Sequence, residues 1–187
     1  MRLFVALELP SQVCDELERA IAQLKPESSG ARWSKREALH LTLKFLGNAD
    51  EALLPQITTA LAQIHSGGPV SLHMRGVAFF PDEKRPRVMF CGVEASPNLP
   101  EVAASIETIL EPLGFERESR EYVPHVTLAR LNSATAIEKL VAAAEPLKSY
   151  DFGAGSAGEF HLYQSVLKPA GSEYKKLATF SFVKDAQ

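Results

Sequence analysis

A chain of 187 residues, 45% apolar and 23% charged, is long enough to bury a core and lacks the composition of a disordered, collagenous or coiled-coil protein. Its two cysteines, Cys14 and Cys91, form no CxxC pair, which argues against a disulfide framework or a cysteine zinc site. A net charge of −3 excludes coating of nucleic acid by bulk charge, so a nucleic-acid partner must be held at a localised site.

The opening MRLFVALELP is interrupted by Glu8 and stopped by Pro10, too short for a signal peptide. No apolar run approaches the roughly 18 residues of a membrane span. The expectation is a soluble cytoplasmic chain with no membrane partner.

In chain order, residues 2–9 read as a strand. Ser11 is placed to cap a helix whose Val13, Leu17, Ile21 and Leu24 share one face, ended by Pro26 and Gly30. Residues 39–46 alternate, with His40, Thr42 and Lys44 on one side and Leu41, Leu43 and Phe45 on the other. A helix with Leu54, Ile57, Leu61 and Ile64 follows, Pro55 in its first turn, and Gly67-Gly68-Pro69 breaks the chain. Strands are predicted over 70–80 and 87–94 around the turn PDEKRP.

Ser96-Pro97 opens a helix with Leu99, Val102, Ile106 and Leu110 inward, closed by Pro112 and Gly114. Residues 125–131 repeat the alternation of 40–46. Ser133 is expected to cap a short helix carrying Ile137, Leu140 and Val141. Two last strands, 156–168 and 173–183, flank a turn around Pro169-Ala170-Gly171.

His40-Leu41-Thr42-Leu43 returns as His125-Val126-Thr127-Leu128, an offset of 85 residues (125 less 40). The same offset sets Arg32 on Arg117, Ser34 on Ser119, and strand 3–7 on 88–92. Each half thus reads strand, helix, short polar strand, His-x-Thr strand, helix. The expected fold is α/β of the α+β type, bilobal, two pseudo-symmetric lobes of antiparallel sheet and flanking helices around a cleft, within one duplicated 1–187 domain.

Residues two apart on a strand lie about 6.6 Å apart and share a face. Two imidazoles and two hydroxyls would therefore meet in the groove, which suits phosphoryl transfer. One histidine takes a proton from the attacking oxygen while the other gives one to the leaving oxygen on the opposite side of phosphorus. Thr42 and Thr127 can donate hydrogen bonds to the non-bridging oxygens. A single strand histidine is ordinarily packed or at the surface, the reading given to His65, His73 and His161. Two copies in matching contexts are hard to explain by packing.

Other signals are weaker. Gly153 to Gly158 matches GxGxxG, but a strand-like EFHLYQSVL follows where a dinucleotide site needs a helix, so the segment reads as a flexible turn. No GxxxxGK[ST] supports ATP binding, and no carboxylate or cysteine beside the His-x-Thr motifs completes a zinc site. Neither cofactor nor metal is expected. The basic residues Lys35, Arg36, Lys44, Arg85, Arg87, Arg117, Arg120 and Arg130 read mostly as solvated surface.

RLFVALELP, LHLTLKFLG, PHVTLAR and LYQSVLKPAGSEYKKLATF, in order over nearly the whole chain, resemble the RNA 2′,3′-cyclic phosphodiesterases, also called 2′-5′ RNA ligases, of the two-histidine phosphoesterase superfamily. The resemblance implies a bilobal fold and metal-independent, ATP-independent hydrolysis of RNA 2′,3′-cyclic phosphate to a 2′-phosphomonoester. It makes His40 the proton donor to the 3′ oxygen and His125 the acceptor that activates water; the near-equivalent motifs do not themselves assign these roles.

The resemblance also draws attention to Arg130 as a phosphate contact. Strict alternation puts Arg130 opposite His125 and Thr127, so either the strand bends or ends there, or Arg130 is a rim or structural residue. Lys44 shares the His40 face by parity, and Phe4, Phe45 and Tyr163 are candidates for base stacking or for core. Partners implied are RNA with a cyclic phosphate end or small cyclic nucleotides, bound by a monomer. Two competing functions are a 2′-5′ RNA ligase joining RNA halves at the same site, and a nucleotide- or RNA-binding module without turnover.

Overall fold

Alternation in the first strand divides it between two environments. β1 (Arg2–Glu8) turns Leu3, Val5 and Leu7 into the main core and Phe4 and Ala6 into a separate cluster on its other face. The computed structural model describes residues 1–168 and 171–183. Two antiparallel sheets account for its strands.

The first sheet has the order β3 (His40–Asn48), β1, β8 (Glu159–Lys168), β9 (Gly171–Ser181). The second runs β2 (Arg32–Trp33), β6 (His125–Arg130), β5 (Val88–Ala95), β4 (Val70–Phe80), β7 (Asp151–Ala157).

Among the described residues there are four α-helices: α1 (Ser11–Leu24), α2 (Leu54–Leu61), α3 (Asn98–Leu110) and α4 (Ile137–Ala144). Their apolar stripes are those the 3.6-residue period predicts, for example Val13, Leu17, Ile21 and Leu24 of α1. Core-facing residues of both sheets belong to one continuous apolar cluster. α1 packs on β7 and α4, while α3 packs on β3 and α2. No helix is long and apolar enough to cross a membrane.

Several local expectations change. Pro10, not Ser11, is the N-cap of α1, and the Ser11 hydroxyl instead receives Arg36 Nη2 at 2.8 Å. Ala136 rather than Ser133 precedes α4. The glycine-rich 153–158 segment is largely strand, not a flexible turn: β7 pairs along β4 from Val70–Ala157 to Arg75–Asp151. Its glycines admit a neighbour, since a Cβ on Gly155 would stand 2.3 Å from Cγ of Pro10. Of the expected final turn, Pro169 and Ala170 lie outside the described residues; Lys168 and Gly171 on either side of them are paired.

The internal echo is narrower than the offset implies. Arg32–Trp33 forms a strand, on β6, but 117–119 does not; Arg117 there bonds Glu111 and Thr108 of the preceding helical turns. Glu8 pairs with His40 and Gly92 with His125, so β1 and β5 correspond at an offset of 84 (92 less 8) rather than 85. A one-residue slip reverses a strand's faces. Opposite the motif threonine, the counterpart of Ala6 is therefore Phe90 and not Cys91, the residue a strict echo would put there.

Candidate active site

β3 does not alternate strictly. Ala6 pairs with Thr42 and Val5 with Lys44, so Leu43 is an extra residue in the ladder. Such a bulge resets the facing of everything beyond it. Leu43 and Lys44 are both buried, and Phe45 emerges on the His40–Thr42 face, 61% exposed. Lys44 therefore leaves the face that parity predicts: its ammonium pairs with Glu107 of α3 and donates to the Glu116 carbonyl at 2.8 Å.

The second motif has the same device. Phe90 pairs with Thr127 and Met89 with Ala129, making Leu128 the extra residue, 85 positions after Leu43. Arg130, paired with Val88 and Arg32, thereby comes round to the His125–Thr127 face and is exposed. Of the alternatives the sequence leaves open, the strand bends, and Arg130 shares the motif face. Ser34 pins the bulge, donating its hydroxyl to the Thr127 carbonyl and its N–H to the Leu128 carbonyl, both at 2.8 Å. The two motif strands come together where the sheets adjoin, and Tyr122, just before β6, donates its hydroxyl to the Thr42 carbonyl at 3.0 Å.

Each imidazole is held by aromatic rings and a backbone carbonyl. His40 stacks on Phe4, with centroids 4.8 Å apart, and meets the edge of Tyr174 at 5.4 Å. Burial pushes its pKa down to about 4, against a backbone hydrogen bond with Glu37 that acts the other way. His125 meets Phe80 at 5.1 Å and Phe90 at 5.5 Å, edge to face. Its Nδ1 lies 2.8 Å from the Val123 carbonyl. A carbonyl only accepts, so Nδ1 carries the proton and a neutral His125 presents its Nε2 lone pair.

Phe4 and Tyr163, two of the stacking candidates, are buried and form the floor under His40; Phe45 alone of the three has an open face. Beside that floor lies a polar network with no local signature in the sequence. Tyr163 donates to Glu8 at 2.8 Å, Lys176 pairs with Glu8 at 2.7 Å, and the buried His161 bonds Thr179 at 2.9 Å. Burial raises the Glu8 pKa, but the bonds from Lys176 and Tyr163 outweigh it and hold the carboxyl below its usual value. Burial lowers that of His161.

His65 is exposed, and His73 lies 3.0 Å from Asp151 on the outer strands, both apart from the motif strands. Among the described residues no group of three or more histidine, cysteine or acidic side chains is arranged to hold a metal ion.

A family model described as the 2′-5′ RNA ligase superfamily matches residues 11–165. RNA 2′,3′-cyclic phosphodiesterase of Methanocaldococcus jannaschii is 35% identical over 175 residues, 94% of this chain and 97% of that one. The Thermotoga maritima protein of the same name is 31% identical over 186 residues, covering 97% and 96%. Among solved structures, TT0787 of Thermus thermophilus aligns with a TM-score of 0.79 at 31% identity, over 97% of this chain and 98% of that one. E. coli LigT complexed with 3′-AMP shares the fold, with a TM-score of 0.77 at 23% identity and 98% coverage of both chains. Matched over most of its length by the family model and by relatives above 30% identity, this chain belongs to the 2′-5′ RNA ligase superfamily.

Proposed function

We propose that the protein is a monomeric, cytoplasmic enzyme that hydrolyses RNA 2′,3′-cyclic phosphate ends to 2′-phosphomonoesters, using neither metal nor another cofactor. The observation that carries this reading is the pair of His-x-Thr strands with matching bulges, each presenting His, Thr and the residue two beyond the bulge on one face. The names of the archaeal and bacterial relatives support the substrate class.

His125 Nε2 accepts a proton from water as the water oxygen bonds to phosphorus. The bond from phosphorus to O3′ breaks, and His40 gives its proton to O3′, leaving a 2′-phosphate and a 3′-hydroxyl. Thr42, Thr127 and Arg130 hold the non-bridging oxygens. In the free protein at neutral pH burial keeps His40 uncharged. As donor it acquires its proton when the phosphate anion arrives, because an adjacent negative charge favours the imidazolium. The same site accepts a 5′-hydroxyl in place of water, which would make a 2′-5′ linkage; the family to which the chain belongs makes this the second reading.

The test is an RNA oligonucleotide ending in a 2′,3′-cyclic phosphate, incubated with a metal chelator, with and without a 5′-hydroxyl RNA acceptor. A 2′-phosphomonoester at full rate in the chelator is the expected product. A 3′-phosphate, or activity lost to the chelator and restored by zinc, would contradict the mechanism, and a 2′-5′ joined strand as the main species would make ligation the activity.

A further inference from the structure

A protein carrying net negative charge must concentrate cations wherever it holds RNA. Many of its basic side chains are already partnered: Arg36 with Asp15 and Glu18, Lys44 with Glu107, Arg117 with Glu111, Arg120 with Glu118, Lys176 with Glu8. Five that are not gather at one place. Arg32, Lys84, Arg85, Arg87 and Arg130 have no ion-pair partner among the described residues. Pairing of β2, β6 and β5 sets Arg32 and Arg130 side by side next to Val88, the residue after Arg87.

The loop from Pro81 to Arg87 leaves and rejoins the sheet at the rim of the candidate site. Phe80, whose ring touches His125, accepts the Arg87 N–H at 2.7 Å, and the Arg87 carbonyl accepts the N–H of Leu131 at 2.9 Å. Pro86 is buried and wedges the loop, while Lys84, Arg85 and Arg87 stay exposed. With Leu131, Asn132 and Ser133 opposite, these three cations line an open cavity of about 400 Å³.

Of the loop's own acids, Glu83 pairs with Lys148 at 3.0 Å, while Asp82 accepts the backbone N–H groups of Lys84 and Arg85 at 2.8 and 3.0 Å and sits close enough to feel both their charges. Asn132 is spent on the Gly30 carbonyl and the Ala134 N–H, which fixes the far wall.

We propose that this cavity is a docking site for the phosphates of the RNA strand behind the reacting end, so that the protein prefers an RNA oligonucleotide to a mononucleotide. The inference rests on the proposed reading of the histidine site, and Arg130 links the two. Arg87 precedes Val88, which pairs with Arg130 at the end of β6 opposite His125, so the cavity lies past the reacting phosphate along the path of a longer strand. Exposed, unpaired lysine and arginine side chains suit flexible single-stranded phosphates, which they hold by charge without reading the bases.

The test is the triple variant Lys84→Ala, Arg85→Ala, Arg87→Ala, three side chains outside the histidine site. Binding of a fluorescent eight-nucleotide RNA ending in a 2′-phosphate, and of a nucleoside 2′-phosphate, is measured by anisotropy and calorimetry across a salt series. Unchanged circular dichroism and melting temperature check the fold. Wild type should bind the octamer more tightly than the mononucleotide. The variant should lose on the order of tenfold or more for the octamer, and the slope of log affinity against log salt should fall by up to about 2, at about 0.7 per phosphate contact on a single strand.

Equal octamer affinity in variant and wild type, or equal losses for octamer and mononucleotide, overturns the proposal. Because binding is read without turnover, a wild type that fails to hydrolyse cyclic phosphate, beside a variant that shows the predicted octamer loss, would sink the reaction and leave the docking site standing.

Discussion

The two histidines share a chemical identity but not an environment, and their difference is measurable. His40 is sandwiched against Phe4 and Tyr174, which pushes its pKa from 6.5 down to about 4. Titration followed by NMR should therefore find His40 uncharged near pH 6 in the free protein, with its pKa rising when a nucleoside 2′-phosphate binds; no rise on binding would remove it as donor.

The same depression couples to stability. Between pH 6.5 and 4 the unfolded chain binds the proton that folded His40 refuses, so stability falls as pH falls through that window. The loss is up to about 3 kcal/mol, and in urea titrations His40→Gln should flatten it. Replacing either His40 or His125 by alanine should lower turnover on the order of 10²-fold or more, and full turnover in both variants would dispose of the acid–base scheme. The histidines and threonines were legible because they sit two apart on strands and recur. Glu8 with Tyr163 was not, because its two members lie 155 residues apart in sequence and meet only through pairing of β1 with β8.

At the scale of elements, the bulges at Leu43 and Leu128 decide what the motif strands display. Strict alternation, a good guide through Leu43 and Leu128, misplaces Lys44, Phe45 and Arg130 just after them. Nothing in LHLTLKFL announces an extra residue, since Leu43 is apolar in either register. Arg130→Ala should raise KM for cyclic phosphate by roughly tenfold, about 1.4 kcal/mol, while Thr127→Ala acts in the same direction.

Lys44 belongs to stability instead. Removing its ammonium strands the half-buried Glu107 carboxylate, so Lys44→Ala should lower unfolding free energy by about 3 kcal/mol or more, read from urea midpoints, with Glu107→Gln in that background recovering part. Gly155→Val, driven against Pro10, should cost about 1–3 kcal/mol. Strands 70–80 and 125–130 were readable from their patterns. β7 was not, because its Gly-Ala-Gly-Ser run has too few side chains to show a period and makes sense only once Pro10 lies on it.

For the whole molecule, sequence halves and sheets do not coincide. β8 and β9 join the first sheet, β2 and β4 the second, and α1 and α3 each pack against a strand from the other half. The duplication visible as His-x-Thr covers the strand pairs β1–β3 and β5–β6, and the exchanged elements tie them through one apolar core. This arrangement joins β3 and β6 where the sheets adjoin, with their histidines backed by separate aromatic clusters. Which strands and helices would cross between halves had no local signature, since each is stabilised by contacts distant in sequence.

If both imidazoles serve one phosphorus, a crystal structure with a nucleoside 2′-phosphate bound will show it. One phosphate should lie with oxygens about 3 Å from Nε2 of both His40 and His125, with Arg130 turned toward it. A phosphate held by only one of the two rings, or seated away from both, would contradict it.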